Sequence, residues 1–205
     1  NMSVTSSDIV LIPISSQMDS MASYVAEKRE LFEFPRDGYG DYSKRGIEKI
    51  RTGILGELAL LEYIHEYLDG KYGEIPTATR YGVLNNLKFA YKMIIGQSDG
   101  GFEFKLGEKL IDVKTYETYK VSINQIFNGL RENGRPLNLL IDKTQNSIAD
   151  IYIQAFITDT NSVCLSGFSI GLPPINYNFP KPAYACAIPD LLPIKEIISY
   201  LNEKK

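Results

Sequence analysis

The stretch Leu110-Ile111-Asp112-Val113-Lys114-Thr115-Tyr116 decides how this chain is read. Its apolar and β-branched content is that of a strand. Successive side chains on a strand point to opposite faces. Asp112 and Lys114 therefore project together, while Ile111, Val113 and Thr115 point the other way. One face suits a core, and the other sets a carboxylate beside an ammonium. Such a pair on its own is ordinarily a same-face salt bridge, so the surrounding residues carry the argument.

Just upstream, FEFKLGEKLIDVKTY reads as two strands, 102–105 and 109–115, joined by a tight turn at Gly107. Asp99 stands in Ser98-Asp99-Gly100-Gly101, before the first of them. In a hairpin it lies near the open end, on the side of Asp112. Aspartate is a common turn residue. Beside a D-x-K strand it also supplies a second carboxylate for a hard cation.

Further upstream lies the strongest helix signal. Ser43 can cap it and Gly70 can close it. Between them Ile47, Ile50, Ile54, Leu58, Leu61, Ile64 and Leu68 recur at spacings of three and four, one apolar helix face. Glu57 falls on that inward side, with Gly53 and Gly56 beside it to allow a close approach. A buried glutamate needs a partner, because an unpaired buried charge is costly.

The remaining elements follow outward. DIVLIPI at 8–14 reads as a strand, 18–32 as a helix, 71–81 as a loop and 82–95 as a helix. Beyond Tyr116, a helix is expected over 121–132 and strands at 138–142, 150–157, 162–170 and 183–188. An irregular stretch runs from Pro173 to Pro182, and a terminal helix from Leu191 to Asn202. The expected architecture is α/β, with a central mixed β-sheet flanked by helices.

Glu57 in GELALLEYI, Asp99 in QSDGG, and Asp112 with Lys114 in IDVKT together resemble the PD-(D/E)XK nuclease superfamily. One departure is that Ser98, not proline, precedes Asp99. The resemblance implies a restriction endonuclease-like core of helix, β-meander, helix and strand over about 43–157. Residues 1–205 then form a single nuclease-like domain with N- and C-terminal elaborations. It implies that Glu57, Asp99, Asp112 and Lys114 are catalytic. Asp99, Asp112, the Val113 carbonyl and Glu57, directly or through water, are the implied ligands of Mg²⁺, for which Mn²⁺ can substitute. Lys114 is the residue implied to orient or help deprotonate the attacking water. The implied activity is hydrolysis of DNA phosphodiesters, with RNA as an alternative substrate. A homodimer is among the expectations, since cutting both strands needs two sites. Lys105, Lys109, Tyr116, Lys120, Gln125 and Gln145 are candidate nucleic-acid contacts.

Composition narrows the field. The chain has 205 residues, 44% hydrophobic and 23% charged, an ordinary globular profile. Its net charge of −3 argues mildly against a large nucleic-acid footprint, although a basic groove can coexist with an acidic remainder. The single histidine, His65, leaves no basis for a histidine-rich metal site. No GxxxxGK[ST] loop and no strand-borne GxGxxG is present. No apolar run is long enough to span a bilayer, and no secretory signal is visible. Cys164 and Cys186 lie apart, without zinc-type spacing, and are expected to be reduced and mostly buried in a cytoplasmic protein. The rival reading is a catalytically inactive nuclease-like module that binds nucleic acid or protein. A third is a structural α/β protein whose quartet makes ordinary ion pairs.

Overall fold

The computed structural model describes residues 4–32, 44–68, 104–106, 108–116, 121–128, 137–143, 149–179 and 181–202. Along the chain these form β1 (Val10–Pro13), α1 (Ser16–Phe32), α2 (Lys44–Leu68), β2 (Phe104–Leu106) and β3 (Lys109–Thr115). There follow α3 (Ile123–Asn128), β4 (Asn138–Asp142), β5 (Ile151–Ile157), β6 (Ser162–Ile170), β7 (Ile175–Asn176), β8 (Ala183–Ala187) and α4 (Ile197–Asn202). Short 3-10 turns occupy Ser6–Asp8, Ile188–Asp190 and Ile194–Glu196. The expected loop 71–81, helix 82–95 and turn at Gly107 lie outside the described residues.

The strands make two sheets. The larger has the order β1-β6-β5-β3-β2. β3 and β5 are parallel, with Asp112 level with Tyr152 and Lys114 level with Gln154. The other pairings in this sheet are antiparallel, so it is mixed, as expected. The second sheet, β4-β8-β7, is wholly antiparallel. This second sheet departs from the single sheet expected. Alternation in Asn138-Leu139-Leu140-Ile141-Asp142 marks a strand and its inward face, but not which sheet it joins. β7 lies inside the stretch expected to be irregular, and the C-terminal helix begins as a 3-10 turn after Pro193.

Two cores flank the larger sheet. On one face α1, α2 and α4 cover Ile111, Val113, Ile151, Ile153, Val163, Leu165 and Phe168. On the other, Tyr152, Phe156 and Cys164 pack with Leu139 and Ile141 of β4, Ile126 of α3, and Ile188 and Leu191. β5 is therefore buried at every position. Helix α1 buries Met18, Ala22, Val25 and Ala26, a stripe at helical spacing, and Ser15 caps it by accepting the Met18 N–H at 3.1 Å. Helix α2 is enclosed more fully than one apolar face requires, since every residue from Ile54 to Leu61 is buried.

Among the described residues two glycines permit close approaches. A Cβ on Gly56 would fall 1.9 Å from the Thr115 Oγ1, so α2 can lie this close to β3 only without a side chain there. Gly53 has nothing within 4 Å of such a Cβ, so the expected close approach holds at Gly56 alone. Gly167 sits at a bulge, where Gln154 pairs with Gly167 and Ala155 with Leu165, leaving Ser166 as the extra residue. Ser166 Oγ closes the bulge by donating to the Gln154 carbonyl at 2.8 Å. The extra residue resets the alternation, so Phe168 faces the same core as Val163 and Leu165.

Candidate active site

Strand β3 divides its side chains as the sequence predicts. Ile111 and Val113 enter the core beneath α2, and Thr115 touches Gly56. Asp112 and Lys114 share the opposite face, with Lys114 Nζ 2.9 Å from Asp112 Oδ2. Asp112 is only 2% exposed, whereas a quarter of the Lys114 side chain remains accessible. The acid is thus held inside, while part of the lysine side chain stays accessible. A buried carboxylate keeps its charge only when donors or cations compensate lost hydration, and Lys114 supplies one.

Glu57 comes from α2, on the other side of β3. It is 7% exposed, the only acidic residue within the enclosed stretch of that helix. The Gly56–Thr115 contact brings this turn of α2 to the C-terminal end of β3, just past Lys114. Glu57 and Asp112 both have interaction partners, so neither is an unpaired buried charge. Asp99 lies outside the described residues.

The residues present suit a hard divalent cation in donor type. Asp112 offers carboxylate oxygen, and its Oδ2 already accommodates a positive charge in the form of the Lys114 ammonium. Among the described residues no three histidine, cysteine, aspartate or glutamate side chains form a group able to hold a metal. Mg²⁺ does not require one, because it usually keeps several waters and takes one or two carboxylates plus substrate phosphate.

The expected nucleic-acid contacts are scattered in role. Lys109 opens β3 and is half-buried. Lys105 lies on β2, level with Leu110. The Tyr116 ring packs against Phe156, with centroids 5.9 Å apart, and its hydroxyl is buried rather than presented to solvent. Gln125 is engaged in a capping box: its Oε1 accepts the Ser122 N–H at 2.9 Å while Ser122 Oγ accepts the Gln125 N–H at 3.2 Å. The S-x-x-Q spacing carried that signal. Lys120 and Gln145 lie outside the described residues.

Sequence reasoning missed Gln154. It is 3% exposed, level with Lys114 on the neighbouring parallel strand, and on the same face as Asp112 and Lys114. The available signal was a carboxamide in the middle of the otherwise apolar IYIQAFI. Comparison with known proteins gives no match: neither a family model, nor a curated protein, nor a solved structure matches this chain.

Proposed function

We propose that this chain is a metal-dependent endonuclease of the PD-(D/E)XK kind, hydrolysing DNA phosphodiester bonds at a site built from Glu57, Asp99, Asp112 and Lys114. The observation that carries the proposal is the Asp112–Lys114 pair, 2.9 Å apart on one face of a central strand, with the acid buried and the lysine partly open to solvent. A structural ion pair gains little in such a place, because desolvating two charges offsets most of their attraction and apolar residues often serve stability better. The finer fold reading, a restriction endonuclease-like core, is supported by element order. Helix α2, the antiparallel β2–β3 pair, α3 and, after β4 of the second sheet, β5 parallel to β3 follow in that order along the chain.

In this proposal Asp112 and Asp99 hold the cation, with the Val113 carbonyl and Glu57 as further oxygen donors. A bound Mg²⁺ supplies Lewis-acid polarisation of the phosphate and a more acidic water. Lys114 carries three N–H donors on a compact positive charge. From the accessible end of the pair it orients the attacking water and offsets the negative charge that grows on the phosphate. The buried Asp112 anchors that ammonium between turnovers.

The test is cleavage of plasmid and single-stranded DNA with Mg²⁺ or Mn²⁺, comparing the parent with Lys114→Ala, both checked for folding by circular dichroism. The expected outcome is cutting by the parent that a chelator abolishes, and a fall of roughly 10²- to 10³-fold in Lys114→Ala. A parent that neither cuts DNA or RNA nor binds Mn²⁺ sinks the proposal and leaves the non-catalytic binding module.

A further inference from the structure

Gln154 is the one residue of β5 whose side chain is neither aliphatic nor aromatic, and it is 3% exposed. A buried carboxamide has two N–H donors and an acceptor oxygen to satisfy. One end is accounted for, since Nε2 donates to the Ala155 carbonyl at 2.8 Å. A carbonyl can face only the donor end of the amide, so the Gln154 oxygen points away from it. Among the described residues that oxygen accepts no hydrogen bond, and it is not fully enclosed, so it is open to a donor. The backbone around Gln154 is fixed separately, by the Ser166 hydroxyl on its carbonyl and by the bulge opposite Gly167.

The parallel register sets Gln154 level with Lys114. Laddered neighbours on one face lie about 4.8 Å apart along the hydrogen-bonding direction, within reach of two long side chains. Lys114 at present rests on Asp112 Oδ2. A divalent cation on Asp112 competes for that oxygen and repels the ammonium, so Lys114 has to turn aside.

We propose that Gln154 is a positioning residue that receives the Lys114 ammonium when a divalent cation takes Asp112. The carboxamide oxygen accepts a hydrogen bond from Nζ and holds the lysine beside the site instead of releasing it to solvent. A neutral acceptor suits this task, because it steadies the ammonium without adding a carboxylate that draws the cation off Asp112. The proposal rests on the nuclease reading for the cation's place on Asp112.

The experiment is a Mn²⁺ titration of the full chain, following free Mn²⁺ by electron paramagnetic resonance. It compares the parent, Gln154→Met, Lys114→Met and the double variant. With Lys114 present, Gln154→Met is expected to weaken Mn²⁺ binding about threefold to tenfold, the range for one net hydrogen bond. In the Lys114→Met background the same change is expected to alter binding by less than about twofold, because no ammonium needs a host. Equal weakening in both backgrounds makes Gln154 merely structural and overturns the proposal, as does no effect in either. Gln154→Leu replaces Gln154→Met throughout if circular dichroism shows that the latter does not fold. A parent that binds no Mn²⁺ at millimolar concentration overturns the cation's place on Asp112 and this role of Gln154, and the nuclease reading falls with them if that parent also cuts neither DNA nor RNA. A parent that binds Mn²⁺ and cuts DNA, but shows no coupling between residues 154 and 114, overturns the Gln154 role alone.

Discussion

At the residue scale, the contact that sets α2 on β3 is that of Gly56 with Thr115. Replacing a helical glycine by alanine ordinarily stabilises by about 1 kcal/mol. At Gly56 the added Cβ would sit 1.9 Å from Thr115 Oγ1, so overpacking outweighs propensity. We expect Gly56→Ala to destabilise by about 1–3 kcal/mol in chemical denaturation. Gly53→Ala, with open space around it, is expected to stabilise by about 0.5–1 kcal/mol. Thr115 Oγ1 is itself buried without a hydrogen-bond partner, so Thr115→Ala removes the obstacle and little else. The Gly56→Ala/Thr115→Ala double variant should therefore recover most of the loss, and additive losses would show that the contact does not set the helix position. The placement of three candidate residues was legible at this scale. Two-residue alternation placed Asp112 with Lys114, and helical spacing placed Glu57 inward. Gln154 was not legible, because its meaning depends on a neighbouring strand that no local pattern identifies.

At the element scale, the bulge in β6 joins the sheet to the C-terminal segment. Phe168 and Leu192 exchange backbone hydrogen bonds at 3.0 and 2.8 Å, and this strap passes directly over Gly167. Gly167 has φ +155°, and a Cβ there would meet Leu191 Cβ at 2.9 Å and the Leu192 carbonyl at 3.0 Å. Backbone strain and crowding act together, so Gly167→Ala is expected to cost about 2–4 kcal/mol, read as a lower denaturation midpoint. A loss below 0.5 kcal/mol, on the order of an ordinary surface change, would mean that the strap is not seated on the strand. The strands themselves were plain in the sequence: β4 and β6 span the residues expected, and β5 begins one residue late. What alternation could not convey was partnership and direction. The same period of two serves the parallel β3–β5 pair, the antiparallel β5–β6 pair and the separate β4-β8-β7 sheet. Helix α3 starts at Ile123 because Ser122 serves as its cap.

At the scale of the whole molecule, alkaline pH acts on the second core. Burial pushes the Cys164 thiol up to about 12, from an ordinary value of 9.0. Burial, helped by the charge of Asp190, pushes Cys186 up to about 11. Both cysteines are free, in keeping with the reduced thiols expected. The folded protein holds these protons where the unfolded chain gives them up, so their contribution is intact below pH 9.0 and is lost as pH rises toward the folded values. Thermal unfolding temperatures should fall more steeply above pH 9.0 in the parent than in Cys164→Ala. Identical slopes would show that Cys164 does not titrate with unfolding. No helix among the described residues is long and apolar enough to cross a membrane. The sheet order has a temporal consequence. Among the described residues β1 pairs with β6 alone, Val10 against Leu165, so β1 is synthesised long before the strand it needs. Contacts this distant in sequence slow folding, and the waiting segment must be kept from foreign strand edges until the edge that completes it has been synthesised.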